Sequence, residues 1–306
     1  MQRLLSALDR LWFTPAPASR PALMRLLLGA YTLYYLGRRY RMFQRIAASD
    51  PGLFQPVGAV QGLDRPLPLP VFRALLNATL LAGLAFTLGW RYKVSGPLFS
   101  GLLLWLLSYR NSWSMIYHND NILVLHALVL GLAPAADALS LDARAGRTPA
   151  TGGEGGQSAS HWRYGWPLQL INAVTTSTYA LAGVAKLCGP LGWGWVSGEA
   201  MRSQIAIDGL RKELLGSSSS QLAHTLYPRV RLFNVLAVGS LLIELLAPLA
   251  VLSRRGGKLW AAGAFSMHWG IYALMKITFR YQLAGLPFVP FFEPERAVAL
   301  LARSEP

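Results

Sequence analysis

Residues 71–90 read VFRALLNATLLAGLAFTLGW, with Arg73 as the single charge. A stretch this long and this apolar has few places to fold. About 20 residues of helix span the hydrocarbon core of a bilayer, where every backbone N–H and C=O must be satisfied within the segment. Comparable apolar blocks recur at 22–37, 96–117, 119–136, 165–187, 231–252 and 258–278, and a shorter one lies at 281–292. The repetition predicts an all-α fold: a polytopic transmembrane helical bundle of roughly seven or eight spans, treated as one domain over 1–306.

Composition agrees with this reading. Hydrophobic residues make up 53% of the chain and charged ones 14%, against roughly a quarter charged in soluble domains. The net charge of +15 does not indicate a nucleic-acid partner. The basic residues sit at the ends of the apolar blocks and form no nucleic-acid-binding pattern, so anionic lipid headgroups suit them better. With one cysteine, Cys188, an intrachain disulfide is impossible.

The segments between the blocks divide by composition. Leu4, Leu5, Leu8, Leu11 and Trp12 share one face at helical spacing, which predicts an interfacial helix rather than an export signal. Residues 142–163 are rich in Gly, Ser, Thr and Ala and read as a flexible loop. Residues 188–229 read as an interfacial segment. Within it, 198–215 has a helical pattern with Ile205, Leu210 and Leu214 inward and Arg211, Lys212 and Glu213 outward. Arg25 lies near one end of its block, placed to snorkel. Arg254, Arg255 and Lys258 crowd one turn, which puts that turn, and with it the N-terminus, on the cytoplasmic side of a cell membrane.

Polar groups inside apolar blocks carry the functional information, because a central Lys or Asp costs roughly 2.5–3.5 kcal/mol on insertion scales. Lys186 ends the block 165–187. In low dielectric its ammonium form is disfavoured, and a neutral amine is a competent general base; the plain alternative is a lysine that snorkels to the headgroups. The run YHNDN at 117–121 opens a helix with His118, Asn119, Asp120 and Asn121, and His126 follows on nearly the same face. This stripe suits a proton relay, a helix cap or a structural network. Glu244 is the one carboxylate deep in an apolar block, four residues before Pro248. It reads either as a protonated structural group or as the ion-pair partner of Lys186 or an arginine. His268 opens a polar side on the block 258–278. The five histidines show no metal-ligand spacing, and no metal is expected.

Three stretches together resemble the HTTM (horizontally transferred transmembrane) domain family, relatives of the vitamin K-dependent γ-glutamyl carboxylases. They are YHNDNILVLHALVLGLAPAADALSLDAR at 117–144, the segment YALAGVAKLCGPLGWGWVSGEAM at 179–201, and FSMHWGIYALMKITF at 265–279. In the second, Tyr179, Ala182-Gly183, Lys186-Leu187, Trp195 and Gly198 follow the family's Y-x-x-AG-x-x-K-L…W-x-x-G pattern. The resemblance implies a lysine base that deprotonates a membrane quinol and so starts oxygen-dependent, lyase-type carboxylation chemistry. Lys186 stands at that lysine, and Asp120 stands where the carboxylases carry a histidine. The implied enzyme acts on a membrane quinol, a lipid or a small secreted peptide. Lys186, Asp120, His118 and His268 form its catalytic group, and Asn119, His126, Tyr179, Trp195 and Glu244 contact the substrate. A second reading makes the protein a non-catalytic membrane partner for the maturation or export of a small peptide, with Lys186 pairing with Glu244 or Asp120 to hold the bundle.

Overall fold

The apolar blocks fold as helices because unbroken runs of Leu, Ala and Phe leave the backbone no better partner than itself. The computed structural model describes residues 2–113, 115–149 and 160–296, without the side chains of 2–5, 7, 118 and 119. Among the described residues no strand forms, and one isolated antiparallel bridge joins Ala16 to His161. The chain divides into two compact units, Met1–Ile171 with Glu293–Pro306, and Asn172–Phe292.

The first unit begins with the amphipathic helix α1 (Gln2–Trp12), followed by α2 (Ser19–Arg38) and the short α3 (Tyr40–Ala47). Helices α4 (Leu69–Leu88), α5 (Tyr92–Asn111) and α6 (His118–Leu132) then form its centre. Helix α5 packs on both α4 and α6, and α2 packs on α4. The α5–α6 seam is tied by polar side chains that find backbone carbonyls. Ser100 Oγ donates to the Ala127 carbonyl at 2.6 Å, and Tyr92 Oη donates to Leu130 at 2.8 Å. Arg25 does not snorkel. Its side chain is wholly buried, and Nη2 donates to the Leu139 carbonyl at 2.5 Å.

The segment expected to be a flexible loop is ordered at its start. Helix α7 (Leu141–Arg144) is capped by Ser140, whose Oγ accepts from Ala143 N at 2.9 Å. Asp142 accepts from the backbone N–H groups of Arg91 and Tyr92 at 3.0 and 2.7 Å. It thereby satisfies the exposed donors at the start of α5. Burial pushes the Asp142 carboxyl up, but these two N–H groups and Arg147 outweigh it and hold the carboxyl below its ordinary value of 3.8. Residues 150–159 of that segment lie outside the described residues.

Helix α8 (Trp162–Cys188) runs 27 residues and contains the boundary between the units. The second unit continues with α9 (Glu199–Leu214), α10 (Gln221–Leu226), α11 (Val230–Leu245), α12 (Arg254–Met275) and α13 (Arg280–Leu283). The face of α9 differs from expectation. Ile205 is buried against Ala223 and Phe233, but Leu210 and Leu214 are 59% and 78% exposed. Lys212 instead turns inward, donating to Asp208 at 2.5 Å and to the Met275 carbonyl at the end of α12. Those carbonyls lack intrahelical donors, and a lysine amine satisfies one of them.

Among the described residues one helix, Leu69–Leu88, has both the length and the apolarity to cross a bilayer. Helices α6 and α11 are apolar but only 15 and 16 residues long. The block 281–292 is not a continuous helix. After α13 it turns at Gly285 (φ +75°) into a 3-10 segment, Leu286–Phe291, containing Pro287 and Pro290. Even so, large apolar side chains face outward along the long helices: Leu81 is 69% exposed, Leu181 68%, Val235 69% and Leu259 76%.

Candidate functional site

The motif-bearing stretch 179–198 assembles in the second unit against α11 and α12. Tyr179, Gly183 and Lys186 stand at i, i+4 and i+7 on α8, one face of the helix. Tyr179 meets α12, and Gly183 and Lys186 meet α11. Tyr179 Oη lies 2.6 Å from His268 Nε2 on α12. Lys186 Nζ donates to both carboxylate oxygens of Glu244 on α11, at 2.5 and 2.6 Å. Between them, a Cβ at position 183 would lie 3.0 Å from Glu244 Cβ and 3.0 Å from a Leu245 methyl. Only glycine lets α8 and α11 come this close without displacing those side chains.

The remaining motif positions close the site from the other side. Past Cys188 the chain turns into the 3-10 segment Gly192–Ser197. This carries the Trp195 ring to 5.3 Å from Lys186 Nζ, within cation–π range. Gly198 has φ +73°, and a Cβ there would approach the Phe233 backbone to 2.6 Å. The tryptophan and glycines after the lysine therefore fold the chain back onto α11 and lay an aromatic face against the amine.

The ion pair is asymmetric. The Glu244 side chain is 8% exposed and that of Lys186 26%. The carboxylate is thus committed to the interior, while the amine keeps a path outward. The amine is held at the carboxylate, not extended into solvent. Nearby, Trp260 Nε1 donates to the Ile243 carbonyl at 2.8 Å and packs edge-on against Tyr179. His268 also contacts the Phe279 and Phe288 rings, and its second ring nitrogen, Nδ1, is buried with no hydrogen-bond partner.

The first unit holds a separate polar cluster. Asp120, in the first turn of α6, accepts from Tyr35 Oη at 2.6 Å and pairs with Arg110 Nη1. Arg110 also donates to Tyr35 Oη at 3.0 Å, and its guanidinium lies 3.6 Å from the centre of the Tyr117 ring. Arg110 and Tyr35 were not singled out from the sequence. They lie 10 and 85 residues from Asp120, and no local pattern links them. His126 is fully buried and hydrogen-bonds the backbone of Ile171. The side chains of His118 and Asn119 lie outside the described residues.

The structure therefore groups Lys186, Glu244, Tyr179, His268 and Trp195 in the second unit, and Asp120 and His126 belong to the first. Leucines facing outward and ion pairs facing inward are the pattern of an α-helical membrane protein. The sequence model of the HTTM domain matches residues 13–279, most of the chain and every motif position of the second unit named above. The protein belongs to the HTTM domain family. No curated protein and no solved structure matches the chain.

Proposed function

We propose that this HTTM protein is a carboxylase-like membrane enzyme in which Lys186 is the base. Its substrate is a membrane quinol, a lipid or a small secreted peptide. The observation that carries the reading is the Lys186–Glu244 pair, held at 2.5 Å under the Trp195 face. The carboxylate and the aromatic face fix the amine at one point of the site. An amine that gives its proton to Glu244 can accept another from an acidic hydroxyl. When the amine is charged, Glu244 holds it in position. Tyr179 and His268 supply a second buried hydrogen-bonding pair on the same face of α8. The unpartnered Nδ1 of His268 suits a ligand that brings its own polar group, as a quinol does. A quinol would supply the acidic hydroxyl; the chain supplies the base, its counter-charge and the aromatic wall.

In this reading the chain is one multi-pass domain with roughly seven or eight crossings and a cytoplasmic N-terminus. Helix α11, shorter than the bilayer core, crosses together with the 3-10 turn Ala247–Val251 that follows it. Asp120 holds Arg110 and Tyr35 in place, which supports a positioning role rather than proton transfer.

The ion pair itself favours one other reading, in which it is a clamp and the protein is a non-catalytic partner for maturation or export of a small peptide. One comparison separates the two. Lys186→Met/Glu244→Leu keeps the volume of the pair and removes its charges. Function in the native host is lost if the amine is a base, and retained if the pair is a clamp. A folded Lys186→Ala protein with full activity in its native host ends the enzymatic reading. Mass spectrometry of the protein purified from its own membrane identifies the quinone or lipid that the enzymatic reading expects to travel with it.

A further inference from the structure

Of the four carboxylates in the Asn172–Phe292 unit, three face a lysine or arginine: Glu199 pairs with Arg202, Asp208 with Arg211 and Lys212, and Glu244 with Lys186. Glu213 does not. Near the end of α9 its Oε1 accepts from Ser219 Oγ and lies 3.5 Å from His224 Nε2. Among the described residues nothing donates to its second oxygen, Oε2, and its side chain is half exposed. In a chain of net charge +15, an accessible carboxylate with no Lys or Arg on it stands out.

The carboxylate belongs to a pocket. Helices α9 and α10, the loop between them and the end of α12 border a space of about 410 Å³, a size that takes a few side chains. Its apolar floor comes from Ile205 and Leu210 of α9, Ala223 of α10, and Leu274 and Met275 of α12. Glu213, Ser219, His224 and Tyr227 supply the polar side. Lys212 also lines the space, but its amine is committed to Asp208 and to the Met275 carbonyl. Asp208 is taken in turn by Lys212 and Arg211. The pocket therefore offers a ligand one uncommitted anionic oxygen beside an apolar floor, and no uncommitted Lys or Arg among its lining residues.

We infer that this pocket binds a peptide segment carrying a lysine or arginine beside apolar residues. The cation takes Glu213 Oε2, and the apolar side chains lie on Leu210, Leu274 and Met275. Charge complementarity selects the basic group. The apolar floor selects a chain over a small free amine, which would leave most of it bare. A lipid amine arrives with a phosphate, and the lining has no uncommitted cation to receive one. A peptide backbone is neutral and carries both donors and acceptors, for which Tyr227 and His224 are at hand. Binding at this pocket is independent of the chemistry proposed for Lys186, and its failure leaves that proposal standing.

The test is isothermal titration calorimetry of the full chain in phosphatidylcholine nanodiscs, with empty nanodiscs as the blank. The probe is the peptide acetyl-Gly-Leu-Lys-Leu-Gly-amide, compared with the same peptide carrying norleucine in place of lysine. The lysine peptide is expected to bind roughly ten-fold more tightly, the scale of a charge-assisted hydrogen bond at a half-exposed carboxylate. Glu213→Gln keeps the acceptor for Ser219 and is expected to bring the two peptides to equal affinity. Position 209 lines the pocket, and a Cβ there meets Ser219 Cβ at an ordinary 3.5 Å. Gly209→Leu therefore fills the space and is expected to abolish binding of both peptides. Ala206→Phe, also in the lining, serves the same purpose should Gly209→Leu fail to fold, judged by circular dichroism. No binding by the wild type overturns the inference. So does equal binding of the two peptides by the wild type, which means apolar adsorption only. A lysine preference unchanged in Glu213→Gln, or binding retained in the folded pocket-filling variant, puts the peptide elsewhere and overturns it. Displacement by n-butylammonium at the peptide's own concentration means a free-amine site, and displacement by phosphatidylethanolamine added to the nanodiscs means a lipid site; either overturns it too.

Discussion

Removing one member of the Lys186–Glu244 pair should cost very different amounts depending on which member goes. Lys186→Met strands a carboxylate whose side chain is 8% exposed. An unpaired buried charge of this kind costs about 3 kcal/mol or more. Glu244→Gln instead leaves an amine on a flexible stem, 26% exposed, which can swing to water while its methylenes stay packed, at about 1–2 kcal/mol. Removing both charges in Lys186→Met/Glu244→Gln leaves nothing stranded and should cost about 1 kcal/mol. The single costs then exceed the double by about 3 kcal/mol, far above the ~0.5 kcal/mol within which independent sites add. The assay is reversible unfolding of the four proteins in mild detergent, followed by circular dichroism. Costs that simply add, or a Glu244→Gln protein less stable than Lys186→Met, would refute the reasoning.

Other substitutions test the close approaches and the first unit. Gly183→Ala should cost about 1–3 kcal/mol, because its Cβ crowds Glu244 and Leu245 at 3.0 Å, and Gly183→Val should cost more; unfolding midpoints in detergent measure both. Gly198→Ala combines φ +73° with a backbone contact at 2.6 Å and should lower the midpoint further than alanine at Gly194, which has nothing nearby. Asp142 carries a depressed carboxyl, so its contribution is complete above its ordinary value of 3.8 and is lost as pH falls through the lower folded value. Wild-type stability should therefore drop as pH falls below 3.8 by more than that of Asp142→Asn. In the first unit, Arg110→Ala removes the cation paired with the buried Asp120 carboxylate and should cost about 3 kcal/mol, whereas Tyr35→Phe removes the hydrogen bond given to Asp120 and the one accepted from Arg110 and should cost about 1–3 kcal/mol.

Much of the second-unit cluster was legible because it obeys helical spacing. Tyr179, Gly183 and Lys186 fall on one face by arithmetic, and Glu244 stood out as a lone carboxylate among leucines, with Lys186 among its possible partners. Helix α4 was legible for a related reason: an apolar run with no competing polar group, closed by Gly89 in the left-handed conformation at φ +64°. What depended on distant partners was hidden. Arg25 looked like a snorkelling end residue, and only the fold brings the Leu139 carbonyl to it. Asp142 looked like the start of a loop, because the N–H groups it caps belong to residues 50 and 51 positions earlier. The face of α9 was misjudged because Lys212 satisfies a carbonyl at the end of another helix, which outweighs the usual outward position of a charge. At 281–292 the signal was present: Gly285, Pro287 and Pro290 argue against a continuous span.

The claim on which the functional account depends is that the Lys186 amine sits on Glu244 within a membrane-embedded protein. Solid-state NMR in proteoliposomes, with ¹⁵N at lysine Nζ and ¹³C at glutamate Cδ, measures that separation directly as dipolar dephasing. The account predicts a dephasing component for direct hydrogen-bonded contact that disappears in both Lys186→Arg and Glu244→Gln. A spectrum in which neither substitution removes any short-range component would place the amine away from the carboxylate and contradict the account.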